Sequence, residues 1–290
     1  MATAGCASGP TLWRVLRLCW TQSRPVVQAI FLLRFTSAAL LATTEGHTPS
    51  HLLSGTTAWA LAVFTVYLVN GVHDAVEDTV NHPTRPIPAG TLHPRTAARV
   101  ALTSATLALA SASLAGPCLL ALTAVFLLAG HLYSAPGIAL KRHTAGTTAV
   151  VLTGGLTTYL AGFAAAGGHH LTTVLVLATA MSLWMALVGA VAKDFTDVTG
   201  DRRAGRRTTV IRLGPTRARR RVTTNALLIG TGFLATAAAV VPPLVPSAAA
   251  TLAGAAALTI TRFPYRVYMR TQYAAHLLAF GVLAFAILSP

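Results

Sequence analysis

Acidic residues are scarce in this 290-residue chain: 7 Asp and Glu stand against 22 Lys and Arg, a net charge of +15. Charged residues of both signs make up only 10% of the chain, where a soluble domain carries about a quarter. So little charge cannot cover a water-facing surface. That excludes an ordinary soluble domain and a soluble nucleic-acid binder, whose cations need a soluble body to sit on. Cysteine is nearly absent too. Cys6, Cys19 and Cys118 are odd in number and match no zinc or redox spacing, so neither a disulfide framework nor a thiolate metal site is expected. No compact apolar core with a small-residue cleavage site follows Arg14 and Arg17, so no removable signal peptide is expected.

What the chain has is apolar length. Hydrophobic residues make up 54% of it, gathered into runs at 26–43, 52–69, 96–114, 117–133, 147–166, 171–191, 222–241, 244–260 and 274–288. Each approaches the ~20 residues that a helix needs to cross ~30 Å of hydrocarbon. The pattern predicts an all-α polytopic membrane protein: a bundle of about nine transmembrane helices spanning 25–290, behind an N-terminal arm, 1–24. The weakest breaks are Ala115-Gly116-Pro117 and Pro242-Pro243, where Pro and Gly signal turns with little polar sequence around them. If the spans alternate, every Lys and Arg except Arg34 falls in the arm or in an even-numbered gap. The gaps around Gly46, Ser113, Gly168 and Pro243 hold none. This bias predicts a multi-pass cell-membrane protein with its N-terminus and even gaps in the cytoplasm and its C-terminus outside. Arg219, Arg220 and Arg221 read as an anchor for anionic lipid headgroups. Arg34 lies ten residues beyond Arg24, ~15 Å along a helix. At that depth a cation faces a cavity or a partner, or snorkels from a shifted helix.

The few acids are not scattered. Apart from Glu45 they are Asp74, Glu77 and Asp78, then Asp194, Asp197 and Asp201, each cluster at the predicted cytoplasmic end of an apolar run. Asn70, Asp74 and Asp78 recur every four residues, and Asp194, Asp197 and Asp201 at i, i+3 and i+7, so each set shares one helical face. Two acidic faces at one depth repel unless something positive stands between them. Mg²⁺ is the natural filler, because it takes hard oxygen ligands and is held by one or two carboxylates while also touching phosphate. With Arg and Lys alongside, the clusters read as a metal-diphosphate site at the membrane surface. Two alternatives stay open at this point: a salt-bridge network with neighbouring arginines, and an ion or proton pathway.

The stretch NGVHDAVEDTVNHPTRPIPAG, 70–90, resembles the first signature of the UbiA superfamily of intramembrane prenyltransferases, Asn-Asp-x-x-Asp-x-x-x-Asp followed by an Arg-Pro-x-Pro-x-Gly loop. KDFTDVTGDRRAGRRTTVIRLG, 193–214, resembles the second, and Tyr133-Ser134-Ala135-Pro136 with Lys141-Arg142 the element between them. The resemblance implies a nine-helix bundle around a central cavity and a prenyl diphosphate ionised with Mg²⁺, two ions bridged by the diphosphate. The allylic group would pass to an acceptor, commonly a small aromatic or quinone precursor. It implies Asn70, Asp74 and Asp78 as one metal-binding set and Asp194, Asp197 and Asp201 as the other. Lys193, Lys141, Arg142 and Arg85 would neutralise diphosphate, and Tyr133 would touch the allylic group or the bridging oxygen. Asn70 and Arg34 join the candidate diphosphate contacts. One residue departs from the pattern: Gly71 stands where the family has Asp, which suggests close packing or room for a ligand.

With six acids so assigned, Glu45 alone is left, on the predicted outer side. Removal of the acceptor's proton therefore falls to Glu77, Asp197, His73 or the released diphosphate, and Glu77 is counted with the catalytic residues. A terpene cyclase of the same superfamily, acting without an acceptor, is the second reading. A transporter is the third, and it expects intramembrane charge in several spans where only Arg34 is found.

Overall fold

A computed structural model describes residues 11–42 and 49–288, with side chains described as far as residue 281; Cys6 and Glu45 lie outside the described residues. The chain forms α1 (Leu12–Gln22), α2 (Pro25–Ala42), α3 (Pro49–His73), α4 (Ala75–Asn81), α5 (Pro94–Ala115), α6 (Pro117–Ser134), α7 (Thr144–Ala165), α8 (Leu171–Leu183), α9 (Ala190–Arg203), α10 (Thr209–Val240), α11 (Val245–Ile260) and α12 (Pro264–Leu288). A π-helical segment, Trp184–Gly189, joins α8 to α9 without a break. Proline sets many of the starts: α2, α3, α5, α6 and α12 each begin on one. Its fixed φ suits the first helical turn, and it has no N–H to leave unpaired there.

Among the described residues, 8 helical rods are long and apolar enough to cross a membrane. The ninth expected span, 274–288, forms the second half of α12. The weak sequence breaks are real: Gly116 turns α5 into α6 with φ 118, and Pro242–Leu244 forms a single 3-10 turn before α11. Large apolar side chains face outward, Leu53, Leu102, Leu114, Leu228 and Ile260 among them. The interior is full of small residues such as Ala62, Ala108, Ala161, Ala226 and Ala255. That inversion suits a bundle in lipid, where small residues let helices approach closely.

The two largest of three apolar clusters among the described residues fill most of the interior. One joins Phe31 and Phe35 of α2 to Trp59 of α3 and Phe126 of α6; the other joins α7 and α8 to α10, α11 and α12 around Trp184, Met181 and Phe233. The described part of the expected N-terminal arm packs on the bundle through α1, whose Cys19 lies with Leu68, Ile87 and Leu92 in one apolar cluster. The rod from Leu171 to Arg203 has 33 residues, or about 50 Å at 1.5 Å each. That outruns the ~30 Å apolar layer, so its acid-bearing last turns stand at the membrane surface. Trp59 is fully buried with ring centroids 6.2 Å from Phe35 and 4.8 Å from Phe126. Trp59→Ala is expected to cost about 3 kcal/mol and to lower the melting temperature in detergent markedly, with Trp59→Phe intermediate; an unchanged melting curve would contradict this packing.

Candidate active site

The first acidic set spans a slight break. Helix α3 ends at His73, Asp74 turns with φ −88 and ψ 4, and α4 begins at Ala75. The backbone bonds Asp74 N to Asn70 O and Asp78 N to Asp74 O, both 2.8 Å, continue across it. Asn70, Asp74, Glu77 and Asp78 therefore remain on one inward face and are all buried. The second set lies on α9, where Asp197 and Asp201 are buried and Asp194 is half-buried.

Asn81 couples the two acid-bearing helices. Its Nδ2 donates to Asp197 O at 3.1 Å, and its Oδ1 accepts from Gly200 N at 2.9 Å. A Cβ on Gly200 would come within 2.5 Å of the Asn81 side chain, so only glycine admits this approach. Two loops are pinned together beside it. Arg207 N donates to Arg142 O at 2.9 Å and Thr144 Oγ1 to Arg207 O at 3.0 Å, which brings Lys141 and Arg206 to the acids.

The space between the acids is filled by side-chain cations. Lys141 pairs with Asp74 and lies 3.4 Å from Glu77; Arg206 bridges Glu77 at 3.2 Å and Asp201 at 2.9 Å. Arg85 grips Asp78 at 2.7 Å, Lys193 pairs with Asp197, and Arg24 reaches Asp74 at 3.7 Å and Asn70 Oδ1 at 3.1 Å. This corrects the inference that repulsion between acids by itself calls for Mg²⁺: lysine and arginine already relieve it. The salt-bridge alternative describes the metal-free arrangement. Burial alone would raise the Asp74 pKa, but Lys141 and Arg24 outweigh it and hold the carboxyl below its ordinary range. Burial, reinforced by Asp74, raises Glu77. Burial also opposes the charge on Arg206, yet Tyr133, Glu77 and Asp201 outweigh it and fix the guanidinium as a cation. Burial and Arg85 hold His82 below its usual value.

Beneath these charges lies a cavity of about 330 Å³, within the size range of small-molecule sites. Its charged mouth is formed by Asn70, Asp74, Asp194, Asp197, Lys193 and Arg206. Its deeper wall is apolar, with Ile30, Phe31, Val66, Phe126, Val150 and Met269, and Tyr133 is also on the lining. Among the described residues no three His, Cys or acidic side chains converge as a ready-made metal cage. Mg²⁺ seldom uses one, since it keeps waters and shares its shell with phosphate. The donor set fits that habit: Asp194 faces the cavity with no ion pair among the described residues, and Asp201 Oδ2 is buried without a hydrogen-bond partner.

Several expected residues stand elsewhere. Arg142 is exposed and off the cavity wall. His73 is exposed, and Glu77 is buried behind Asp74 without lining the cavity. Arg34 makes no ion pair with a described carboxylate; its guanidinium lies 5.1 Å from the Phe31 ring, deep in the cavity. Sequence reasoning missed Arg24, His82, Asn81 and above all Arg206, which is hidden among Arg202, Arg203 and Arg207. Only the preceding Gly205, with φ 70, hints that the chain turns back there. Gly71 owes its place to packing: a Cβ there would lie 2.4 Å from Gln22 Nε2, and Gln22 Oε1 accepts from Ile87 N at 3.0 Å.

A helical bundle with a charged mouth over an apolar cavity has the polarity that suits a molecule with an anionic head and a greasy tail. The chain belongs to the UbiA prenyltransferase family, whose family model matches residues 31–288. It is 30% identical over 197 residues, 64% of this chain and 65% of the relative, to a digeranylgeranylglyceryl phosphate synthase of Natronomonas pharaonis. It is 34% identical over 147 residues to the protein of that name in Methanoregula boonei, 51% of either chain. It thus spans between half and two thirds of these relatives' length. In fold it resembles a UbiA homologue from Archaeoglobus fulgidus bound to GPP and Mg²⁺, with TM-score 0.73 and 18% identity over 92% of this chain and 99% of that one.

Two outcomes follow from the packing. Arg206→Gln leaves Glu77 and Asp201 buried without their shared cation and is expected to cost about 3 kcal/mol, read as a lower melting temperature that Glu77→Gln partly restores; equal stability would contradict the bridge. Gly71→Asp, the family's usual residue, is expected to destabilise by about 1–3 kcal/mol through overpacking, with recovery in the Gly71→Asp/Gln22→Ala double variant; a stable single variant would argue against that contact.

Proposed function

We propose that this protein is a Mg²⁺-dependent intramembrane prenyltransferase that ionises a prenyl diphosphate and passes the prenyl group to an acceptor, releasing diphosphate. The observation that carries this reading is the cavity wall, which changes from acids and cations at the mouth to aliphatic and aromatic side chains below. Charge balance points the same way. Asp74, Glu77, Asp78, Asp194, Asp197 and Asp201 nearly offset Arg24, Arg85, Lys141, Lys193 and Arg206. A bare diphosphate would arrive uncompensated, whereas one accompanied by divalent cations brings almost its own neutralisation.

In this reading Asn70, Asp74 and Asp78 on one side, with Asp194, Asp197 and Asp201 on the other, hold the metal. When bound, Mg²⁺ supplies Lewis-acid stabilisation of the leaving diphosphate. Lys193, Lys141 and Arg206 hold the phosphate oxygens as charge develops on them. Tyr133 and Phe31 present aromatic faces to the allylic group, and the dry apolar wall keeps water from the cation. Glu77 acts as a positioning residue for Lys141 and Arg206. The cation bias of the gaps orients the charged mouth toward the cytoplasm and the C-terminus outside. The names of the relatives put a glyceryl phosphate lipid beside the small aromatic as acceptor classes.

The test uses the full chain in lipid nanodiscs with geranyl, farnesyl or geranylgeranyl diphosphate. Mg²⁺-dependent diphosphate release, abolished by chelation and lowered about 10²–10³-fold by Asp194→Asn or Asp197→Asn, with prenylated product only when acceptor is added, is the expected result. A terpene formed without acceptor would mean cyclase chemistry instead. Substrate flux without diphosphate release would mean transport.

A further inference from the structure

Arg34 is fully buried and lines the cavity, yet no ion pair with a described carboxylate neutralises it. Its Nη1 is spent on the thioether of Met185, a poor acceptor, and its Nε and Nη2 have no hydrogen-bond partner. Those two free donors are neighbours on one edge of the guanidinium, the edge that grips a two-oxygen anion side-on. An unpaired cation this deep is expensive unless a ligand pairs with it. The guanidinium stacks against Phe31, one turn nearer the helix start, so it points back toward the charged mouth, as helical side chains do. That puts it about 10 Å from the Arg24 level at 1.5 Å per residue, and Arg24 is the residue that meets Asp74. Tyr268 stands beside it on the cavity wall and offers a phenolic hydroxyl to the same ligand, while the Tyr159 hydroxyl is held by His276 Nε2 at 2.7 Å. Met185, unbranched and on the cavity wall, is a cover that can swing aside.

We propose that Arg34 is the recognition residue for an oxyanion carried by the second substrate, holding a small acceptor by its carboxylate or phosphate so that its far end points up toward the allylic carbon. This rests on the prenyl-transfer reading for the identity of the cavity's other occupant. It also separates Arg34 from Lys193 and Arg206, the phosphate-holding cations at the mouth.

The full chain in nanodiscs, with and without Mg²⁺ and geranyl thiodiphosphate, would be titrated with benzoate, phenyl phosphate and the uncharged benzamide. At least one anion is expected to bind tenfold or more tightly than benzamide, and which of the two does so tells carboxylate from phosphate. In Arg34→Gln the preference is expected to vanish, and in Arg34→Lys to survive in part. Equal affinity for all three probes in the unaltered chain, a comparison that needs no variant, would overturn the proposal; so would a preference undiminished in Arg34→Gln. Geranyl thiodiphosphate binding is read separately. Its absence would sink the prenyl-transfer reading while leaving the anion preference measurable.

Discussion

Six carboxylates gathered at one end of an apolar bundle must be neutralised, and the interleaving of Arg24, Arg85, Lys141, Lys193 and Arg206 among them is the constraint on which the rest of the structure depends. A buried carboxylate without a partner costs several kcal/mol, so each acid but the half-buried Asp194 fixes the position of a cation and of the segment that carries it. Arg24 ties the start of α2 to α3, and Arg85 folds the 82–93 loop over α4. Lys141 and Arg206 bring in the loops after α6 and α9. Five separate parts of the chain meet at one charged end because the charges cannot be left apart.

Helix geometry makes that meeting possible. The acids occupy the last turns of α3 with α4 and of α9, where long rods outrun the apolar layer. Asn81, lying against the bare backbone of Gly200, sets how closely the two approach. The π segment Trp184–Gly189 widens the helix just before α9. Such segments recur at functional sites, and this one puts Met185 and Gly189 on the cavity wall. Strong charge is thereby confined to a mouth, and among the described residues lining the space beneath it only Arg34 is charged.

Much of this was legible in the sequence because membrane constraints write themselves plainly. Apolar runs located the spans, proline and glycine located even the weak breaks at Gly116 and Pro242, and periodicity put Asn70, Asp74 and Asp78 on one face. What stayed hidden depended on tertiary pairing. Nothing local distinguishes Arg206 from Arg203 or Arg207, and only the contact between the 139–143 and 204–207 loops selects it. Glu77 shares a helical face with Asp74, yet it pairs with Lys141 and Arg206 off the cavity wall. Gly71 was readable as a departure from the family pattern, but its cause, the amide of Gln22 two helices away, is not local information. The role assigned to acidic repulsion also needed the structure, since the chain supplies its own counter-charges.

The central claim is that the acids of α3, α4 and α9 exchange part of their pairing with lysine and arginine for a shared metal–diphosphate ligand. Electron paramagnetic resonance of Mn²⁺ added in place of Mg²⁺, together with geranyl thiodiphosphate, tests it most directly. The account predicts bound Mn²⁺ with ³¹P hyperfine coupling only when the diphosphate is present, and loss of that signal in Asp74→Asn and in Asp197→Asn alike. Mn²⁺ that binds without phosphorus coupling, or that depends on one acidic set and ignores the other, would contradict it.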